Sequence, residues 1–95
     1  MDENYSKITI HQFDLMKHAL GLDHAKPKRG KCTVYRNYYC SYGKNDDWET
    51  LVECGVATCR VGNPELYPSS IFYHVSEDGL ELMSNVLGFE ITESE

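Results

Sequence analysis

Apolar residues recur at helical spacing near the start of the chain. Between Phe13 and Leu20 an apolar residue returns every three or four positions, which is typical of a helix with one buried face. Thr9 and Gln12 match a capping box, in which each side chain bonds the other residue's backbone N–H. The pattern therefore predicts a helix over residues 10–21.

A short helix and a hairpin are predicted in the middle of the chain. Asp46 and Glu49 form a capping pair for the helix, and Gly55 stands where it would end. Residues 56–61 and 71–75 are rich in β-branched and aromatic side chains, and the turn-rich segment GNPELYPSS separates them. These two runs predict a hairpin with a long tip.

The last helix is predicted from a cap and an apolar stripe. Ser76 can cap its first turn, and Leu80, Met83 and Leu87 continue the stripe until Gly88. Residues 89–95 follow as an acidic tail that we expect to be flexible.

A tyrosine-rich run lies between the first two helices. Residues 32–40, CTVYRNYYC, favour one β-strand, although neither of its faces is cleanly apolar. The preceding residues 23–31, DHAKPKRGK, predict a flexible basic linker because they carry Pro27 and Gly30 and have no apolar period. Residues 1–95 thus predict a single α+β domain with three helices, a hairpin and a short Tyr-rich strand.

The composition fits a small globular protein. Of the 95 residues, 41% are hydrophobic and 25% are charged. The hydrophobic fraction is too high for a disordered chain. No run reaches the roughly 18 apolar residues that a membrane span needs. The N-terminus MDENYSKITI is acidic and polar, whereas a secretory signal would be basic and then apolar. We therefore expect a cytoplasmic protein without a membrane partner.

The four cysteines have two interpretations. They can form two disulfides in an oxidising compartment, but without an export signal we expect reduced thiols that pack as small apolar side chains. Their spacings, C-x7-C and C-x4-C, lack the C-x2-C pair typical of structural zinc sites, although zinc with help from His18 and His24 stays open. Neither a metal site nor another cofactor is predicted. No glycine-rich phosphate loop, H-E-x-x-H or G-x-S-x-G motif occurs, so the sequence does not predict an enzyme.

Charged and aromatic residues form two candidate surfaces. The net charge of the chain is −6, and this negative charge disfavours nucleic acid as a partner. The first combines cations with rings, the side chains that contact acidic groups or phosphates and dominate interfaces. It consists of Lys26, Lys28, Arg29, Lys31, Arg36, Tyr35, Tyr38, Tyr39 and Tyr42. The second is acidic and consists of Asp46, Asp47, Glu49, Glu77, Asp78 and Glu81. The single tryptophan, Trp48, is expected in the core.

Two short motifs suggest a family resemblance over residues 46–88. One is Leu51, Val52, Gly55 and Val56, and the other is Val75, Ser76, Gly79, Leu80 and Leu82. These motifs resemble the C-terminal half of the winged-helix domain in MarR-like and PadR-like bacterial regulators. The resemblance implies a winged-helix-like fold in which the hairpin is the wing, and it leaves open a homodimer formed through terminal helices.

The helix before the wing departs from that family. In a DNA-binding member it presents cationic and amide side chains to the major groove, but here the segment NDDWETLVEC carries four acids and no cation. With KHALGL and YRNYY, the whole chain also resembles small phage and prophage proteins of unknown function. We therefore expect a protein-binding module, an adaptor or inhibitor of a host or phage protein in a bacterial cytoplasm, with nucleic-acid mimicry as one route. The alternative is a DNA-binding transcriptional regulator that uses the basic 26–36 run.

Overall fold

The computed structural model describes residues 7–22 and 29–93, and these form a mixed α+β fold. The helices are α1 (Ile10–Leu20), α2 (Asp46–Glu53) and α3 (Glu77–Leu87). The strands are β1 (Lys31–Val34), β2 (Tyr39–Tyr42), β3 (Ala57–Val61), β4 (Ser70–Val75) and β5 (Glu90–Glu93). The α+β class is confirmed for this part of the chain.

Local hydrogen bonds explain where α1 and α3 begin. The Gln12 N–H donates to Thr9 Oγ1 at 3.1 Å, and the Thr9 N–H donates to Gln12 Oε1 at 3.0 Å, so the capping box is confirmed. The Gly79 N–H donates to Ser76 Oγ at 3.1 Å, which confirms Ser76 as the cap of α3. Each bond satisfies a backbone donor that the first helical turn leaves without a partner.

The start of α2 differs from the prediction by one residue. The cap is Asn45, whose Oδ1 accepts from the Trp48 N–H at 3.1 Å, and Asp46 is the first helical residue. The Asn45 N–H also donates to the Tyr73 hydroxyl at 3.1 Å, so β4 helps to hold Asn45 in the cap position. The predicted end is confirmed, because Gly55 adopts a left-handed φ of 82° and donates to Val52 O at 3.0 Å.

The tyrosine-rich run is not one strand, which corrects the prediction. Its first part is β1, which pairs in parallel with β5, and its last part is β2, which joins an antiparallel sheet of order β2-β4-β3. The link between them is held at the end of α1, where Tyr38 N–H donates to Ala19 O at 3.2 Å and the Arg36 guanidinium donates to His18 O. These long-range bonds direct the chain from one sheet to the other.

The expectation of a flexible acidic tail is wrong for residues 90–93. These residues form β5, and Ile91 is only 6% exposed within the core. The Ile91 N–H donates to Ser84 Oγ at 3.0 Å, which ties the strand to α3. Of the predicted basic linker, residues 23–28 lie outside the described residues, while Lys31 belongs to β1.

The core contains three rings in sequence. Trp48 is fully buried, as predicted, between Tyr39 and Tyr73, with ring centroids 5.5 Å and 5.6 Å away. Its buried indole N–H has no hydrogen-bond partner in the part of the chain that the structure describes. All four cysteines are free thiols, and the prediction that they pack in the core holds for Cys32 and Cys54 only. In the described part of the chain, no helix is long and apolar enough to cross a membrane.

Candidate functional site

The alternation of side chains along β4 gives the β2-β4-β3 sheet two different faces. Tyr73 and Val75 point into the core, whereas Phe72 and His74 lie half-buried on the opposite, outer face. Phe72 pairs with Cys40 of β2 and with Arg60 of β3, so these three residues form one row across the outer face.

A groove of about 660 Å³ lies on this outer face. Its principal side chains are Tyr38, Cys40, Arg60, Tyr67, Phe72 and His74. We call this feature the outer groove. Its volume is in the range of sites that hold a small ligand or a few side chains of a partner.

The tip of the β3–β4 hairpin forms one side of the outer groove. Tyr67 meets Phe72 edge to face, with ring centroids 5.5 Å apart and an angle of 88° between the rings. A Cβ atom at Gly62 would lie 2.9 Å from the Phe72 ring and 3.1 Å from Tyr67 Cβ. Glycine at this position therefore allows the tip to pack against the sheet.

Arg60 supplies a positive charge to the outer groove. Its guanidinium carbon lies 5.5 Å from the centroid of the Phe72 ring, in a cation–π contact. Among the described residues, no carboxylate lies within ion-pair distance of Arg60. This guanidinium therefore sits on an aromatic face and can still bind an anionic group.

His74 adds a polar group that is mainly neutral at pH 7. Burial lowers the pKa of His74 from its ordinary value of 6.5, the charge of Arg60 lowers that pKa further, and Glu93 opposes both effects. A neutral imidazole donates one hydrogen bond and accepts another. The outer groove thus combines rings, one fixed cation and a neutral donor–acceptor.

Asn37 also lines the outer groove. Its Nδ2 donates to Val75 O at 2.9 Å and to Glu93 Oε1 at 2.9 Å, and its Oδ1 accepts from the Val75 N–H at 2.8 Å. Glu93 is therefore held against the Asn37 amide, next to the groove.

The structure does not bring together the predicted cation-and-ring surface. Tyr38 lines the outer groove, but Tyr35 (84% exposed) and Tyr42 (86% exposed) lie outside its lining. Tyr39 instead packs on Trp48.

The cations of that predicted surface are also dispersed. Lys31 lies 4.0 Å from the Glu90 carboxylate, and Arg36 donates to a backbone carbonyl at the end of α1. Arg29 is exposed in the turn before β1, while Lys26 and Lys28 lie outside the described residues.

Most residues of the predicted acidic surface have local structural roles. Asp46, Asp47 and Glu49 occupy the first turn of α2, and Glu77 and Asp78 occupy the first turn of α3, where the helix dipole favours negative charge.

Two of these acids also make tertiary contacts. Asp47 Oδ1 accepts from Gln12 Nε2 at 3.2 Å, and Asp47 Oδ2 lies 3.4 Å from His11 Nε2. Glu49 Oε2 accepts from the Tyr73 hydroxyl at 2.9 Å. Glu81 is exposed on α3.

The sequence did not single out five principal residues of the outer groove as binding residues: Cys40, Arg60, Tyr67, Phe72 and His74. The alternation in IFYHV places Phe72 and His74 on one face and Tyr73 on the other. It does not show which face is covered, because both faces carry aromatic residues.

Metal-ligand clusters and known proteins were both compared with the described structure and the sequence. Among residues 7–22 and 29–93, no three His, Cys, Asp or Glu side chains gather as ligands for a metal ion. No family model matches the chain, and no curated protein or solved structure matches it either. The assignment of function therefore depends on the geometry and chemistry of the outer groove.

Proposed function

We propose that this chain is a small protein-binding module and that the outer groove is its contact surface. The observation that carries the proposal is the ring-lined concavity formed by Tyr38, Tyr67 and Phe72 around Arg60. Aromatic residues and arginine supply much of the energy at protein interfaces, because they bring large contact area with few rotatable bonds.

The groove's side chains are already held by one another. Tyr67 packs edge-on against Phe72, and Arg60 lies over the same ring. A partner would therefore order few side chains on binding, which lowers the entropy cost of association. Tyr38 and Tyr67 are about half exposed and so have ring surface free for a partner.

The proposal includes a winged-helix-like framework. It is supported by the order of α2, the β3–β4 hairpin and α3, in which the hairpin occupies the place of a wing. The resemblance to phage and prophage proteins adds the setting that we propose, an adaptor or inhibitor of a host protein in a bacterial cytoplasm. The proposed protein partner can also be encoded by the phage, and the chain can bind it as a homodimer.

Duplex DNA is the weaker alternative partner. The helix that precedes the hairpin, α2, has three acids in its first turn and no cation, so its approach to phosphates is repulsive. Of the basic run, Lys31 is close to Glu90 and Arg36 is bonded to the end of α1. Nucleic-acid mimicry is also less favoured, because Asp47 and Glu49 are engaged in contacts within the fold.

A matched pair of tyrosine substitutions tests the proposed surface. The tagged protein is used to capture a partner from bacterial lysate, and the purified partner is then titrated by calorimetry. Tyr67→Ser removes a ring of the outer groove, and we expect it to weaken binding by about tenfold or more. Tyr35→Ser removes the same group outside the groove lining and should change the affinity less than about twofold.

Other results would contradict the proposal. Equal losses in the two variants, with unchanged urea midpoints, would show that the outer groove is not the contact surface. The DNA-binding regulator would be favoured if the wild-type protein were retained on a duplex DNA column and none of the captured proteins bound it once purified.

A further inference from the structure

β3 is an edge strand of the β2-β4-β3 sheet. Four of its five residues, from Thr58 to Val61, are exposed, and Val61 is 73% exposed. Edge strands present unpaired backbone groups to which another strand can bind.

The hydrogen bonds at the two ends of the hairpin show which β3 groups face outward. Gly62 N–H donates to Ser70 O at 2.9 Å, and Ser76 N–H donates to Val56 O at 3.0 Å. In an antiparallel pair, bonded positions alternate along each strand. The N–H and C=O groups of Thr58 and Arg60 therefore point toward β4, whereas those of Cys59 and its second neighbours, Ala57 and Val61, point away from the sheet.

Side chains along this edge alternate in chemistry. Arg60 projects on the outer face and reaches the outer groove, where its guanidinium has no carboxylate partner among the described residues. Cys59 pairs with Tyr73, so its side chain lies on the core side of the sheet. Val61, two residues further along the strand, lies on the same side. A strand added next to β3 would meet a cation on one face and small apolar groups on the other.

We propose that an extended segment of a protein partner adds to β3 in antiparallel orientation, with an acidic residue next to Arg60 and apolar residues next to Cys59 and Val61. This inference rests on the proposed protein-binding function. Strand addition provides affinity through backbone bonds and specificity through alternate side chains. The Arg60 guanidinium, which has no carboxylate partner among the described residues, selects an acidic residue at the position beside it.

Synthetic peptides provide a direct test. The ¹⁵N-labelled wild-type protein is titrated with an octapeptide of alternating valine and glutamate and with its valine–lysine counterpart. We expect saturable shifts of the Cys59 and Val61 amide signals with the glutamate peptide and affinity at least about fivefold weaker for the lysine peptide. Equal affinity for both peptides, or no shift up to about 1 mM peptide, would overturn the proposal.

N-methylation of the peptide tests the backbone bonds in the unmodified protein. In antiparallel pairing, the peptide residue opposite Cys59 exchanges both bonds with it and has its side chain on the same face. N-methylation of the valines should therefore abolish binding, and N-methylation of the glutamates should leave it within about twofold. Equal effects would exclude strand addition, and the reverse result would exclude the antiparallel orientation.

Substitutions in β3 test the same geometry from the protein side. Cys59→Pro removes an outward N–H without removing a bond to β4, so we expect loss of peptide binding with a nearly unchanged urea midpoint. Cys59→Ser is the control and should still bind, while Arg60→Glu should reverse the preference from the glutamate to the lysine peptide. If Cys59→Pro does not fold, the N-methylated peptides decide the question.

The captured partner separates this inference from the proposed function. If Tyr67→Ser loses the partner and Cys59→Pro keeps it, the outer groove binds protein but β3 is not the docking edge. If neither variant loses the partner, both proposals fail. A peptide-free dimer in sedimentation equilibrium that Cys59→Pro abolishes would show that a second copy occupies β3, and would overturn the choice of partner.

Discussion

The side-chain amide of Asn37 makes both of the hydrogen bonds that a neighbouring strand would make with Val75. Its Oδ1 accepts from the Val75 N–H at 2.8 Å, and its Nδ2 donates to Val75 O at 2.9 Å. The β2–β4 register pairs Tyr39 with Tyr73, so two further residues along the pairing would bring Asn37 opposite Val75. Asn37 thus extends the pairing of β4 where the preceding chain turns toward α1.

Loss of this amide should destabilise the fold. Asn37→Ala leaves the backbone groups of the buried Val75 without these partners, and we expect the free energy of unfolding to fall by about 1–3 kcal/mol. Urea denaturation with a constant m-value measures the change. Asn85→Ala, on the exposed side of α3, is the control and should change stability by less than about 0.5 kcal/mol. Similar values for the two variants would contradict a structural role for Asn37.

Gly79 is required for the close packing of α3 on the start of β3. A Cβ at this position would overlap the carbonyl oxygen of Val56 and lie 2.7 Å from Val75 Cγ1. We expect Gly79→Ala to lower the free energy of unfolding by about 3 kcal/mol despite alanine's higher helix propensity. Gly88→Ala has open space but a left-handed φ of 82°, so it should cost only about 1 kcal/mol. Thermal denaturation should rank the two variants in this order, and the opposite rank would be inconsistent with the packing.

The burial of Ile91 makes β5 part of the core. Ile91→Ala removes a side chain that is only 6% exposed and should lower the free energy of unfolding by about 2–5 kcal/mol. Thr92→Ala changes an exposed neighbour in the same strand and removes only a 3.5 Å hydroxyl contact with Thr33, so it should cost less than about 1 kcal/mol. Chemical denaturation of both proteins is the measurement. A negligible effect of Ile91→Ala would support the flexible tail that the sequence predicted.

His74 should make the fold less stable in mild acid. Its folded-state pKa is lowered by burial and by Arg60, against the opposing effect of Glu93, so the unfolded chain takes up a proton first as the pH falls below about 6.5. The contribution of neutral His74 is therefore present above that pH. It is lost progressively down to the lower folded-state pKa.

Comparison with His74→Gln isolates this contribution. Urea midpoints are measured for both proteins from pH about 7.5 to about 5. The wild-type protein should lose more stability over this range than the variant, because glutamine does not titrate. Parallel pH profiles would show that His74 does not have a lowered pKa in the folded protein.

The helix ends show how far local sequence reasoning reaches. Thr9 and Gln12 exchange two hydrogen bonds, and the Gly79 N–H donates to Ser76 Oγ. In both caps the two partners are only three residues apart, so a short stretch of sequence is enough to predict them. The sequence predicted Asp46 as the cap of α2 instead of Asn45, because both side chains are suitable acceptors. In the structure the cap is Asn45, whose backbone N–H also donates to the Tyr73 hydroxyl.

The candidate site was much harder to predict than the helices. Of the tyrosines proposed as a binding surface, only Tyr38 lines the outer groove. The other principal groove residues come from β2, β3, β4 and the hairpin tip, and their proximity depends on strand pairing between distant parts of the chain.

The sequence by itself determined the three helices, the β3–β4 hairpin and the burial of Trp48. These features depend on hydrogen bonds between near neighbours and on apolar periodicity, and both can be read along the chain. Only the tertiary structure decided that the tyrosine-rich run divides between two sheets, that residues 90–93 form a strand, and that Phe72 and His74 face outward. The physical reason is that a strand's hydrogen-bonding partner and its covered face are supplied by segments far away in the sequence.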